Sequence, residues 1–228
     1  MYMANIFTTS IGKKVIMSLS GLFLILFLTM HAFLNGAYLL PNGAENFNAV
    51  CEFMSLGIIK VLTPVLAFGF IIHIIYAFVL YLQDYKARGK ERYAVANKTK
   101  ADMASKNMIV LGLIVLIGIA IHLTHFWAKM QLQEFLGNEP MSGSDAIALT
   151  FKPLWVYILY LVWFVCIWLH LTHGFWSAFQ SMGWNNAKWL KRLQWIGYIY
   201  CTLIMLIFVL VATKGYFVAN GICSACAS

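Results

Sequence analysis

Charged residues are scarce in this sequence. Asp, Glu, Lys and Arg make up 11% of its 228 residues, only eight residues are acidic, and 62% of the residues are hydrophobic. Because a soluble domain has roughly a quarter charged residues and about half apolar ones, water is not the main solvent of this chain. A basic stripe with interleaved aromatic residues outside the apolar segments is also missing, so we expect no nucleic-acid binding.

Two signals of exported or haem-attached proteins are missing too. Cys223 and Cys226 form a C-x-x-C pair, but no histidine follows it, so it is not a c-type haem attachment site. A disulfide on an oxidising face and an ordinary chain end both remain open for this pair. The apolar run after Lys13 and Lys14 is too long for a signal peptide and ends without a small-residue cleavage site. We therefore expect it to form the first membrane span.

Five apolar segments are long enough to cross about 30 Å of hydrocarbon at 1.5 Å per residue. They are residues 15–39, 57–82, 107–129, 153–178 and 193–214. The segments between them, such as the charged stretch 84–106 and the stretch 134–151, carry polar residues and turn formers. The sequence therefore predicts an all-α integral membrane protein, a single membrane domain over residues 1–228 with five transmembrane helices.

Basic residues are distributed unevenly among the loops. They concentrate at the N-terminus, in the 84–106 segment and between the fourth and fifth spans, and only Lys60, Lys129, Lys152 and Lys214 lie on the other side. Because positively charged loops stay in the cytoplasm, we predict a cytoplasmic N-terminus and an external C-terminus.

All six histidines lie in apolar segments, where polar side chains are costly and usually functional. Counted along an outward-running helix, His31 and His122 lie roughly 25 Å from the cytoplasmic edge. Counted along an inward-running helix, His73 and His170 lie roughly 25 Å from the external edge. The sequence thus predicts an outer pair and an inner pair of histidines on the first four spans.

Two imidazoles on facing helices, present twice at two depths, suit two haems, because a bis-histidine haem takes one imidazole on each side of the macrocycle. We therefore predict that these four histidines are the axial ligands of two haem irons in a four-helix bundle formed by the first four spans. Gly69, Gly118 and Gly174 lie four residues from a predicted ligand, where a flat macrocycle needs a surface without side chains. For His125 and His173, hydrogen bonding to a haem propionate or a quinone and packing at the interface both remain open.

Several short motifs point to one family. They are Ser10-Ile-Gly-Lys-Lys14, Ser20-Gly-Leu-Phe23 leading to His31, Ala44-Glu-Asn-Phe-Asn48, His73 in the second span, and the segments from His122 to Trp127 and from His170 to Ser177. With these motifs the chain resembles, over almost its whole length, the single-chain two-haem cytochrome b subunit of bacterial succinate dehydrogenases and fumarate reductases.

The resemblance implies a membrane-anchor subunit of a succinate:quinone oxidoreductase in the bacterial cytoplasmic membrane. It implies that His31 and His122 ligate the distal haem b, and that His73 and His170 ligate the proximal haem b. It also implies a flavoprotein with FAD and an iron–sulfur protein on the cytoplasmic face, which carry out the dicarboxylate chemistry. This chain would pass electrons between the iron–sulfur protein and a quinone, which is commonly menaquinone in this family.

The family places a quinone near the distal haem, with a polar residue at the start of the second helix. Glu52 matches that region, and a carboxylate there could accept a proton from a quinol; a charge favoured by a helix dipole is the alternative. Some two-haem relatives carry a glutamate two residues before the fourth-helix ligand, but Trp168 occupies that position here. None of the eight acidic residues is in the middle of a span, so we expect no carboxylate route for protons across the membrane.

Three other functions compete with this interpretation. A haem b subunit of another membrane dehydrogenase, such as a hydrogenase or a formate dehydrogenase, would suit the histidine depths, but the first-span and outer-loop motifs favour the succinate family. A membrane di-iron oxygenase is suggested by two His-Leu-Thr-His segments, but it needs more than six histidines, all near one membrane face. A transporter would need inverted repeats or broken helices, and the sequence shows neither.

Overall fold

The five apolar segments form long helices. In a computed structural model, which describes residues 9–88, 107–184 and 186–222, five helices are long and apolar enough to cross a membrane, and no strand occurs in these residues. This finding confirms the predicted all-α class and the five spans.

The described residues form long spanning helices with shorter helices between them. The spanning helices are α1 (Ser10–Gly36), α4 (Leu62–Arg88), α5 (Met108–His122), α8 (Leu154–Ser181) and α9 (Ala187–Ala219). The shorter helices are α2 (Gly43–Met54), α3 (Gly57–Lys60), α6 (Gln131–Phe135) and α7 (Gly143–Phe151). A 3-10 turn (Ala37–Leu39) extends α1, and a π turn (Leu123–Trp127) extends α5.

Side-chain caps set two of the helix starts. The Thr9 hydroxyl accepts a hydrogen bond from the Gly12 backbone N–H at 3.1 Å at the start of α1, and the Asn186 side chain accepts one from the Lys188 N–H at 2.9 Å. Such caps satisfy backbone donors that have no partner within the helix. The cap at Asn186 explains why the fifth spanning helix begins before the predicted apolar segment and includes several basic residues.

Helices α1 and α8 lie at the centre of the fold. α1 packs against α4, α8 and α9, and α8 packs against α1, α5 and α9. The four histidine-bearing helices are therefore in contact in the order α4, α1, α8, α5, and α9 packs against both central helices. This arrangement positions the candidate site between the first four spans.

Hydrogen bonds between spans accompany the packing of α9. The Thr29 and Tyr200 hydroxyls form a hydrogen bond between α1 and α9, and Trp168 donates from Nε1 to Thr202 at 3.0 Å. In a bilayer the lipid is as apolar as a leucine side chain, so close packing and interhelical hydrogen bonds specify which helices associate. These bonds therefore help to fix α9 on the central helices.

Helices α2 and α7 pack on each other outside the spans, and we call them the α2–α7 cap. The Asn48 amide donates to the Ser144 hydroxyl at 3.0 Å, and the Ser144 backbone N–H donates to Asn48 Oδ1 at 2.9 Å. Cys51 of the cap is partly covered, and burial raises the pKa of its thiol to about 11, so the thiol stays protonated at neutral pH. The 134–151 connection thus contains a helix that the sequence analysis did not predict.

Some predictions concern residues outside the described part of the chain. These are the C-x-x-C pair Cys223 and Cys226 and most of the basic residues of the 84–106 segment. The orientation of the chain across the membrane stays a prediction.

Candidate functional site

The four histidines predicted as ligands meet in two pairs. The ring centroids of His31 on α1 and His122 on α5 are 5.9 Å apart, and those of His73 on α4 and His170 on α8 are 6.4 Å apart. These are the same pairs that the predicted depths group together. The structure thus brings the histidines together two by two, and their role as haem ligands stays a prediction.

Each pair joins two helices that are not packing neighbours. In the described ranges α1 packs extensively on α4 and on α8, and α5 packs on α8, whereas no such contact joins α1 to α5 or α4 to α8. The imidazoles of each pair therefore approach each other from helices that are second neighbours in the order α4, α1, α8, α5. Cofactor sites in helical bundles are built in this way, from side chains on facing helices.

The separation within each pair suits two ligands on opposite sides of one metal atom. Bonds from imidazole nitrogen to a first-row metal are about 2 Å long, and the ring centre lies about 1 Å farther, so opposed imidazoles have centroids about 6 Å apart. The observed 5.9 and 6.4 Å agree with this separation. Nδ1 of His122 and Nδ1 of His170 are buried without a hydrogen-bond partner among the described residues. A polar group in that state is unusual in a settled protein interior.

The number of protein side chains that could ligate one metal indicates which kind of metal group fits the site. No group of three or more His, Cys, Asp or Glu side chains in the described residues is placed to hold a metal ion. Two imidazoles at a time suit a metal whose other ligands come from a macrocycle, as in a bis-histidine haem. The residues present therefore fit haem, and the two separate pairs do not match the single histidine cluster that a di-iron oxygenase needs.

Aromatic rings surround the His31–His122 pair. The His31 ring stacks on Phe27, with centroids 5.4 Å apart, and lies 5.7 Å from the Phe208 ring of α9. The His122 ring lies 5.9 Å from the Trp163 indole of α8. Four spans thus contribute rings to this pair, which has a largely aromatic surrounding.

Small residues lie beside the His73–His170 pair instead. The Ser20 hydroxyl lies 3.2 Å from His73 Nδ1, and a Cβ added at Gly21 would lie 3.3 Å from His73 Cε1. On the other side, a Cβ added at Gly112 would lie 3.6 Å from His170 Cε1. Both imidazoles therefore rest against a neighbouring backbone. The sequence analysis missed these contacts, although small residues are typical of close helix–helix approaches in membranes.

Two of the three glycines that we predicted to face a macrocycle face aromatic side chains. Gly69 lies against the Phe23 ring and Gly118 against the Trp163 indole, so closely that a methyl group at either position would collide with the ring. Gly174 makes only ordinary contacts. Close helix packing accounts for the first two glycines, and a macrocycle surface at these positions stays a prediction.

The other two histidines lie beside the pairs and contact aromatic residues. His125, in the π turn after α5, lies with Nδ1 3.0 Å from the Tyr160 hydroxyl. The His173 ring lies 5.6 Å from the Trp176 ring. π turns frequently mark functional sites, but both roles considered for these histidines remain open.

Glu52 lies on α2, ahead of the second spanning helix. It is exposed on α2, and the second span begins only at Leu62. The charged residue nearest that start is Lys60, which forms an ion pair with Glu134 at 2.9 Å. Helix α3 lies between Glu52 on α2 and the second spanning helix, and the role of Glu52 in quinone chemistry stays a prediction.

A polar cluster that the sequence analysis missed joins the start of α4 to the end of α5. Gln131 Oε1 accepts hydrogen bonds from Thr63 Oγ1 at 3.0 Å and from Trp127 Nε1 at 2.9 Å. Thr63 is distant from the other two residues in the sequence, so only the structure identifies the three as a cluster.

No family model, curated protein or solved structure matches this chain. The functional conclusion therefore depends on the residues and their arrangement.

The arrangement has a definite chemical capacity. It provides two imidazole pairs, on spans that are otherwise apolar, with an aromatic surrounding for one pair and close backbone support for the other. A site of this kind can hold two metal groups by two protein ligands each. No carboxylate is among the described residues that contact the four paired histidine rings, so the paired carboxylates of acid–base hydrolysis are not found there.

Proposed function

We propose that this chain is the membrane-anchor cytochrome b subunit of a succinate:quinone oxidoreductase, either a succinate dehydrogenase or a fumarate reductase. The observation that carries the proposal is the pairing of His31 with His122 and of His73 with His170 on four adjacent spans. The family motifs of the first span and the first loop favour a succinate:quinone oxidoreductase over another haem b dehydrogenase. On this proposal the chain passes electrons between an iron–sulfur subunit and a quinone, with menaquinone as the expected type.

The protein residues have three tasks in this function. The histidines hold two haems b, and the aromatic rings around His31 and His122 give that pair an apolar surrounding. When bound, haem b supplies one-electron transfer through its iron. The apolar outer faces of the spans anchor the assembly in the bilayer, because each spanning helix exposes large apolar side chains.

The proposed partners are a flavoprotein with FAD and an iron–sulfur subunit on the cytoplasmic side of the bacterial inner membrane. The dicarboxylate reaction belongs to those chains. Basic residues at the starts of α1 and α9, which an even number of crossings separates, support a common positively charged face: Lys13, Lys14, Lys188, Lys191 and Arg192. Positive-inside topology places that face in the cytoplasm.

The proposed quinone site retains Glu52 as a proton acceptor. Its exposure on α2 leaves the carboxylate able to exchange protons with water. Quinol oxidation by Glu52→Gln in the assembled complex tests this role. Normal turnover together with unchanged haem spectra would remove Glu52 from the mechanism.

The deciding experiment is expression with ample haem, purification in mild detergent and a reduced-minus-oxidised optical spectrum. We expect a haem b spectrum with two haems per chain, and co-purifying flavoprotein and iron–sulfur subunits of a succinate dehydrogenase or fumarate reductase. A colourless protein would overturn the proposal. Haem together with hydrogenase or formate dehydrogenase chains would assign the protein to another membrane dehydrogenase.

A further inference from the structure

The side chain of Ser20 makes two hydrogen bonds on the inner face of α1. Its hydroxyl donates to the Met17 backbone carbonyl at 3.0 Å, and the same oxygen lies 3.2 Å from His73 Nδ1 on α4. A serine hydroxyl has one proton and two acceptor lone pairs. Both contacts are satisfied together when the hydroxyl donates its proton to the Met17 carbonyl and accepts a hydrogen bond from a protonated Nδ1 of His73.

This arrangement of protons favours the Nδ1–H tautomer of His73. A neutral imidazole with its proton on Nδ1 has its lone pair on Nε2, so Nε2 is the nitrogen available for a metal. The close approach of Gly21 to Cε1 holds the ring against α1 beside Ser20, since a Cβ at Gly21 would lie only 3.3 Å from that atom. The serine and the glycine thus control which nitrogen binds and how the ring is turned.

The hydrogen bond between Ser20 and His73 distinguishes the two histidine pairs. Among the four paired histidines, within the part of the chain that the structure describes, only the His73 ring has a hydrogen bond to another side chain, and Nδ1 of both His122 and His170 has no partner. An acceptor on the outer nitrogen of a ligating imidazole makes the ring a stronger electron donor to the metal. A stronger donor stabilises ferric over ferrous iron, so with haem bound this hydrogen bond would lower the reduction potential at the His73–His170 pair alone.

We propose that Ser20 is a positioning residue for the haem between His73 and His170: it holds His73 as the Nδ1–H tautomer, directs Nε2 to the iron and lowers the reduction potential of that haem. This inference rests on the proposed function, since it requires haem at the histidine pairs. It assigns to Ser20 a role distinct from ligation, because the hydroxyl contacts the imidazole and not the metal.

The test compares three variants of the full-length protein purified with its haems. Ser20→Ala removes the acceptor, and Ser20→Thr keeps a hydroxyl at the same place. Ser18→Ala is the matched control, since Ser18 lies on the same helix with 5% exposure against 9% for Ser20 and donates its hydroxyl to the Lys14 carbonyl at 2.9 Å. Haem content, potentiometric titration and the low-spin ferric resonance spectrum are measured for each, and the wave that disappears in His73→Ala identifies the haem in question.

We expect Ser20→Ala to raise the potential of that haem alone, to shift its ferric resonance signal and to weaken its binding by roughly 10- to 100-fold. Ser20→Thr and Ser18→Ala should retain the wild-type potential and spectrum. Loss of this haem in Ser20→Ala but not in Ser20→Thr or Ser18→Ala would also support the inference. A wild-type potential and spectrum in Ser20→Ala, or equal effects of Ser20→Ala and Ser18→Ala, would overturn it while the proposed function stands. Absence of haem from the wild-type protein would overturn the proposed function itself.

Discussion

His125 and Tyr160 form a hydrogen bond next to one of the histidine pairs. His125 Nδ1 lies 3.0 Å from the Tyr160 hydroxyl, and the two rings stack with their planes 22° apart. Tyr160 is only 3% exposed, so the bond joins the π turn after α5 to the buried face of α8. It thereby supports the segment that directly follows His122.

Removal of this bond should destabilise the protein. In Tyr160→Phe the ring stays and the hydroxyl is lost, and we expect the free energy of unfolding to fall by about 0.5–1.5 kcal/mol, the usual range for one such bond. Unfolding in mixed detergent measures the change. A double-mutant cycle with His125→Phe isolates the pair, and strictly additive effects would show that the two side chains do not interact.

Replacement of either histidine of a pair should remove the one haem that this pair binds. We expect His31→Ala or His122→Ala to retain about one haem per chain, and their combination to retain that same haem, because each iron needs both of its axial ligands. Combining His31→Ala with His73→Ala should remove both haems. The haem content per chain is measured after extraction.

His125→Ala is the control for that series, because its ring bonds to Tyr160 and not to a paired histidine. It should keep both haems. Retention of two haems in any single variant of His31, His73, His122 or His170 would contradict the assignment of ligands.

A methyl group at Gly118 should disturb the contact between α5 and α8. In Gly118→Ala the new Cβ collides with the Trp163 indole, and overpacking of this kind costs about 1–3 kcal/mol. Thermal unfolding measures the loss. Gly57→Ala is the matched control, since nothing lies within 4 Å of a Cβ built there, and an equal loss in the control would show that the collision is not the cause.

The ion pair of Lys60 and Glu134 should contribute modestly to stability. Its side chains are 29% and 21% exposed, so the charges are partly screened by water, and we expect Glu134→Gln to cost up to about 1 kcal/mol. High salt should reduce the difference from the wild type. Glu139→Gln, an exposed neighbour outside the helices, should change stability by less than about 0.5 kcal/mol; a salt-independent loss in Glu134→Gln would indicate packing instead of charge.

The spans and the grouping of the histidines could be predicted from the sequence. Long apolar segments leave the helix as the structure that satisfies the backbone in lipid, and a constant rise per residue converts sequence position into depth. This is why the depths of His31 and His122, and of His73 and His170, group the residues that the structure brings together.

Contacts across the spans could not be predicted in the same way. Ser20 and His73 are 53 residues apart, and His125 and Tyr160 are 35 apart. Which faces of two helices meet depends on their rotation, and helices that are apolar on all sides give no periodic signal for it. The partner of a polar side chain inside the membrane therefore comes from the structure alone.

Helix α7 was missed for a different reason, since its sequence carries a signal. Ser142 accepts from the Asp145 N–H at 3.2 Å and donates to its carboxylate at 2.7 Å, and this Ser-x-x-Asp spacing before an apolar stretch is typical of a helix start. Glycines and a proline nearby predict a loop instead. The second span was predicted to begin at residue 57, but α3 is a separate short helix and the spanning helix begins at Leu62.

The two hydrogen bonds between Asn48 and Ser144 join segments that are 96 residues apart. A ribosome takes about 5–20 s to synthesise that length at ordinary rates, so α2 is complete well before its partner exists. During this interval two further spans enter the bilayer while the amide of Asn48 is hydrated by water. The α2–α7 cap can therefore assemble only after α4 and α5 have been synthesised, and a chain truncated before Ser144 lacks half of the cap.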